Sequence, residues 1–360
     1  MALSIRAADD TAFDLLALGE CMLRLSAPAH QRIAHSPQLD VFVGGGEYNV
    51  AYAAARLGLR SAWIGGLNDT PMSAIIAAHA RAVGLDISSA VTHVSDGIGR
   101  RDRIGLYFTE VGTGPRPSVV TYDRGHSVTS AIRPGEIDWH HLFVERGVRW
   151  FHTGGVYSAL SDHARAVALE AITAAHAAGT IVSYDLNYRS RLWSSADAIA
   201  ATRPMLPYID CLIGGREDFG NVLGCTLGET QTDAFDDTAD CERIVREVVA
   251  EFPNIKVVGT AIRSGEHASV NDWSGLVMAE GRFHRGMSMC GLPMEDRIGG
   301  GDGFAAGLIH GLLSGRSPLD CVNLGIAHGA LVMSTRGDSS LVTLDEVEHT
   351  ARGGSARIQR

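Results

Sequence analysis

The chain all but lacks lysine. Among 360 residues the sole lysine is Lys256, and the other thirty basic residues are arginine. A phosphate loop of the form G-x-x-x-x-G-K-[ST] needs a lysine after its second glycine, and none stands in such a place. Protein-kinase chemistry needs a strand lysine paired with a helix glutamate, together with a catalytic loop. Lys256 does sit in a strand-like run, Asn254-Ile255-Lys256-Val257-Val258, but no such loop accompanies it. Both large classes are excluded.

Other absences narrow the chain further. No apolar run approaches the roughly 18–20 residues that span a bilayer. The start, MALSIRAADDTA, lacks the apolar core of a signal peptide. Six cysteines at 21, 211, 225, 241, 290 and 321 include no C-x-x-C pair, which argues for reduced thiols in the cytoplasm and against a zinc cluster. The 15 histidines show no metal-ligand spacing such as H-E-x-x-H, and His126 and His152 read as structural. A formal net charge of −10 repels phosphate backbones and anionic lipids, so nucleic acid and membrane are not expected partners.

The remaining composition, 45% hydrophobic and 20% charged, is that of an ordinary globular protein. Phe13 to Gly19 reads as a buried strand, and Glu47 to Leu57 has apolar residues at helical spacing. Pro71 to Val83 reads as a helix with proline in its first turn. Four alternating segments, Met22 to Leu25, Leu39 to Val43, Ile104 to Thr109 and Ser118 to Tyr122, read as half-exposed strands of a small antiparallel sheet. From Arg149 onward strands alternate with helices: a strand at 150–152, a helix from Ser161 to Ala178 with Ser161 as N-cap, then a strand to Asp185. That rhythm implies right-handed crossovers and a parallel sheet covered on both faces. The layout expected is one doubly wound, mostly parallel α/β domain over 13–350, with a small β lid from about 22–45 and 100–125. Residues 226–240 read as an acidic surface excursion and 351–360 as a loose tail.

The run Gly299-Gly300-Gly301-Asp302 opens a helix expected from Gly301, ahead of the apolar run Leu308 to Leu313. Glycines there let backbone N–H groups converge at a helix N-terminus, which binds anions. Asp302, ionised at neutral pH by its reference pKa of about 3.9, could accept a proton from an attacking hydroxyl beside a bound phosphate. A glycine turn followed by a capping aspartate fits the same residues. Gly301-x-Gly303-x-x-Ala306 also fits a dinucleotide loop, although GLPMEDR, not an apolar strand, precedes it.

Taken with Gly44-Gly45-Gly46-Glu47-Tyr48-Asn49 far upstream, Asp296-x-x-Gly299-Gly300-Gly301-Asp302 resembles the two signatures of the PfkB/ribokinase sugar kinases. The likeness runs from about Phe13 to the tail. Leu18-Gly19-Glu20, Tyr122-Asp123-Arg124, Asp185-Leu186-Asn187-Tyr188-Arg189 and Gly337-Asp338 are similar to the 2-keto-3-deoxygluconate kinases within them. The resemblance implies a ribokinase-like fold and ATP- and Mg2+-dependent phosphorylation of a sugar acid. It implies Asp302 as base, Gly299, Gly300 and Gly301 as anion hole, and Gly45, Gly46, Asn49, Tyr107, Tyr122, Arg124 and Arg189 around the sugar. A carboxylate suits the paired donors of a guanidinium, which neutral ribose or fructose would not engage. Another sugar substrate, or a non-catalytic sugar-acid-binding regulator, are the competing readings. Where that family carries N-x-x-E for magnesium and phosphate, this chain has Gly214-Gly215-Arg216-Glu217: Glu217 is kept and the asparagine is not. Gly303 stands where alanine or serine is usual, and Tyr48, where small residues are common, is expected to reshape the sugar pocket. A homodimer or higher assembly is expected, with partner lids covering one another.

Overall fold

A computed structural model describes residues 3–228 and 238–354. Residues 229–237 of the acidic stretch at 226–240, and 355–360 of the tail, lie outside the described residues. No described helix is long and apolar enough to cross a membrane.

The main sheet has nine strands. Its six parallel strands run in the order Val257–His267, Cys211–Ile213, Ile181–Asp185, Val148–Gly154, Phe13–Leu18, Ser61–Ile64. Phe13–Leu18 is buried at every position. Its side chains divide among three apolar clusters: Leu16 and Leu18 join Phe151 and Val182, Leu15 joins Trp150 and Ile181, and Ala17 joins Trp63. Neighbouring residues point to opposite faces of a strand, so each face needs its own apolar cover. Asp162–Ala177 covers the first face with Val167, Ala171 and Ile172, and Ser161 caps it by accepting the Ala164 N–H at 3.0 Å. Gly46–Arg56, Gly300–Leu313 and Pro318–Val332 cover the other.

An antiparallel edge extends the sheet. Val257–His267 and Val270–Ala279 form a long hairpin, flanked by Arg282–Arg285 and Met289–Pro293. Residues 257–260 and 275–279 are the buried ends of this hairpin. Lys256 stands just before it, half-buried, its amine donating to the Pro253 carbonyl.

The four alternating segments form a separate sheet in the order Asp40–Gly44, Met22–Ser26, Leu106–Glu110, Val119–Asp123. It is mixed rather than antiparallel, because its central pair is parallel, with Arg24 opposite Tyr107. The chain between those strands passes through two α-helices and the main-sheet strand Ser61–Ile64, which supplies the long crossover a parallel pair needs. Met22–Ser26 is also not half-exposed: Arg24 is buried, because an ionic cluster meets it on the polar face.

Candidate active site

Gly299 ends the approach to the Gly300–Leu313 helix at φ 86°, a left-handed conformation that favours glycine. A Cβ there would also lie 2.3 Å from the Asp338 carbonyl oxygen. Gly301, by contrast, faces open space. Asp302 follows in the first turn but caps nothing. Its Oδ2 instead accepts a 2.7 Å hydrogen bond from Asn49 Nδ2. That disposes of the capping reading.

Asn49 belongs to the Gly46–Arg56 helix, and its Oδ1 accepts the Gly45 N–H at 3.3 Å. A Cβ on Gly45 would strike the Glu20 carbonyl oxygen at 1.9 Å. A Cβ on Gly46 would sit 3.9 Å from Asp302 Oδ1 and 3.7 Å from Asn187 Nδ2. Two glycine turns some 250 residues apart in the chain therefore frame one carboxylate, and Asn49 joins them.

The electrostatics correct one expectation. Asp302 is pushed up to about 7, chiefly by loss of water around it, with the Asn49 bond and the Arg189 charge opposing and the Asp338 charge reinforcing. It is therefore divided between both protonation states at neutral pH. Buried Glu47 likewise rises to about 7 through desolvation, with Asp302 adding repulsion. Asp185, desolvated and facing Asp218, Asp302 and Glu47, lies well above the usual carboxylate range. The site holds more carboxyl groups than it can ionise together.

The residues expected around the sugar divide. Arg189 is exposed; its Nη1 donates to the Tyr188 carbonyl at 3.2 Å, and its charge reaches both Asp302 and Asp185. Tyr122 is 40% exposed, 5.8 Å from the Tyr107 ring and 5.3 Å from the Arg124 guanidinium. Arg124 is bound to buried Glu20, with Nε to Oε2 at 2.8 Å, so its charge is already balanced. Tyr107 is buried and its hydroxyl donates to Asp338. Tyr48 lies in the core against Trp63, its hydroxyl 2.8 Å from His79 Nδ1, so its bulk goes inward and does not reshape a pocket. Glu217 is exposed in the first turn of Arg216–Leu223, and no hydrogen bond ties it to this cluster.

The departures at glycine acquire physical reasons. A Cβ on Gly214 would lie 2.9 Å from Leu186 Cδ1, so the place of the missing asparagine is filled by leucine. A Cβ on Gly303 would lie 3.0 Å from Val332 and 3.1 Å from Gly329, where two helices cross closely. Buried Arg24, Asp296 and Asp338 were missed as a unit. Only the charge of Arg24 inside an apolar run could have drawn attention to it.

Comparison with known proteins agrees with this geometry. Residues 12–272 match the pfkB family carbohydrate kinases. The 2-dehydro-3-deoxygalactonokinase of Haloferax volcanii is 32% identical over 347 residues, covering 96% of this chain and 99% of that protein. The crystal structure of 2-dehydro-3-deoxygluconokinase from Thermotoga maritima is 34% identical with a TM-score of 0.87, covering 94% of this chain and 99% of that one. An E. coli structure described as Ribokinase II with ATP and Mg2+ shares the fold at 17% identity and a TM-score of 0.75, covering 95% and 99% of the two chains. The doubly wound sheet, the paired glycine turns and the sequence match together make this chain a member of the pfkB family of carbohydrate kinases.

Proposed function

We propose that the protein transfers the γ-phosphate of ATP to the primary hydroxyl of 2-keto-3-deoxygluconate, giving the 6-phosphate. The observation that carries this reading is Asp302, held by Asn49 between the two glycine turns with exposed Arg189 in electrostatic reach. The ionised carboxylate takes the proton of the attacking hydroxyl. The N–H groups at the start of the Gly300–Leu313 helix stabilise charge on the transferred phosphoryl oxygens. Arg189 grips the substrate carboxylate.

No group of three or more His, Cys, Asp or Glu suited to a metal occurs among the described residues. Magnesium would be held mainly by the nucleotide's own phosphates, with Glu217 as the carboxylate offered toward it. Bound there, magnesium would offset charge on those phosphates. The kinase relatives, and the E. coli neighbour described with ATP and Mg2+, support the same cosubstrate and ion.

The Haloferax relative favours a second reading in the same class, with 2-keto-3-deoxygalactonate, the C4 epimer, as acceptor. ATP consumption is measured with both epimers, ribose and fructose. Turnover of either acid well above the neutral sugars supports the class, and the better epimer names the substrate. Turnover of ribose or fructose alone rejects it. On the outer strands of the small sheet Val41, Val119 and Tyr122 are exposed, which supports pairing of two copies there. Light scattering that returns a monomer rejects that pairing.

A further inference from the structure

Arg24 lies in the middle of a strand of the small sheet, and all three of its guanidinium nitrogens are engaged. Nε donates to Ser26 Oγ at 2.9 Å, Nη1 to Asp338 Oδ1 at 2.7 Å and Nη2 to Asp296 Oδ2 at 2.5 Å. None of the arginine is exposed, and the two carboxylates are nearly as deep.

Each carboxylate supports part of the site. Asp296 Oδ1 accepts the Ile298 N–H at 3.2 Å, on the approach to Gly299. The Asp338 carbonyl lies against Gly299 and its carboxylate against Gly44, so close that neither glycine could carry a Cβ. Asp338 also receives the Tyr107 hydroxyl, and its neighbour Ser339 donates to the Val43 carbonyl at 2.9 Å. Both glycine turns and the small sheet thus rest on one ionic cluster.

Stability alone is a poor reason for such a cluster. Taking three charges out of water costs several kcal/mol per ion, and apolar replacements are often as stable. What the charges provide is position, and a balance beside Asp302. With one cation for two anions, losing Arg24 would leave Asp338 fully uncompensated.

We propose that Arg24 is a positioning residue for phosphoryl transfer: its guanidinium fixes the Gly299–Gly301 turn and the Gly44–Gly46 turn to the small sheet and offsets the Asp338 charge felt at Asp302. Besides Asp338, the groups facing Asp302 are Asn49 and Glu47 from the Gly46–Arg56 helix and Asp185 and Arg189 from the end of the Ile181–Asp185 strand. None of these contacts Arg24, so its removal acts through Asp338.

The proposal rests on the sugar-acid kinase reading and is tested with Arg24→Lys and Arg24→Met in the full chain. Thermal unfolding, kcat, KM, the pH profile of kcat/KM and ADP affinity by calorimetry are measured beside the parent. Lysine keeps the charge but cannot bridge two carboxylates with the same geometry. Arg24→Lys is expected to stay folded and lose about 10²-fold in kcat, with an unmoved acid limb and ADP binding about tenfold weaker. Arg24→Met is expected to lose kcat as well and to displace the acid limb, because Asp338 without its cation either repels Asp302 more strongly or is itself protonated and repels it no longer. Parental kcat and ADP affinity in folded Arg24→Lys overturn the proposal. Loss of activity that only tracks the unfolded fraction overturns it too, as does a folded Arg24→Met with an unmoved limb. Should Arg24→Met not fold, Arg24→Lys decides the matter. A parent inactive on every sugar rejects the kinase reading instead, and the ADP titration still tests whether Arg24 fixes the turn.

Discussion

Asp302 is set by opposing influences that single substitutions separate. Desolvation and the Asp338 charge raise its proton affinity, while the Asn49 hydrogen bond and Arg189 lower it, leaving it at about 7. A general base works deprotonated, so kcat/KM should rise with pH through about 7 and level off above. A profile already flat from pH 5 would contradict that environment. Asp302→Asn keeps the shape without a base and should lower kcat by about 10²–10⁴-fold, leaving sugar affinity measured by calorimetry nearly unchanged. Asn49→Ala removes the bond that favours the ionised form, so its acid limb should move to higher pH. Arg189→Met should raise KM for the sugar acid by about 10–10²-fold, the worth of a charge-assisted contact. Measured at pH 9, where Asp302 is ionised in either protein, that change reports carboxylate binding alone.

At the scale of elements, the crossing of Gly300–Leu313 with Pro318–Val332 sets where the anion-binding turn lies. A Cβ on Gly329 would approach the Gly300 carbonyl oxygen at 2.6 Å and the Trp273 ring at 2.7 Å. Gly329→Ala must push the helices apart at the N-terminus that supports Asp302, at a cost of about 1–3 kcal/mol. A drop of several degrees in Tm, together with reduced kcat, is the expected result; an unchanged Tm would show that the crossing has slack. Gly303→Ala gains about 1 kcal/mol of helix propensity but meets Val332 and Gly329, so little net change is expected. Gly214→Asn restores the residue usual in the family yet collides with buried Leu186, and should destabilise without improving turnover.

Across the whole molecule, Asp14 ties the first strand to the far end of the active-site helix. Its carboxylate pairs with Arg60 at 2.8 Å and Arg149 at 3.1 Å, and Arg149 also donates to the Leu313 carbonyl at 3.1 Å. Burial pushes the Asp14 pKa up, but hydrogen bonds from Arg60 and Arg149 outweigh it and leave the group at about 2. A carboxylate depressed in the folded state stabilises above its unfolded pKa, and that contribution fades as pH falls through the folded value. Asp14→Asn should therefore cost about 2 kcal/mol at pH 7, a difference that shrinks below pH 3.8 and vanishes near 2. Urea unfolding of both proteins across that range measures it.

Sequence alone determined the alternation of strands and helices, because a strand buried on both faces must be continuously apolar and its covering helices must repeat at their own period. It also determined both glycine turns and their order, since close backbone approach leaves a mark no other residue reproduces. Tertiary structure decided the rest. The mixed pairing of the small sheet depends on a crossover that no local pattern encodes. The pairing of Arg124 with Glu20 and of Tyr107 with Asp338 depends on burial brought by distant segments. The proton affinity of Asp302 depends on desolvation, and Arg24 acquires its meaning only from Asp296 and Asp338, some 270 and 310 positions away. Long-range electrostatics is a property of the packed chain, and it has no period to read.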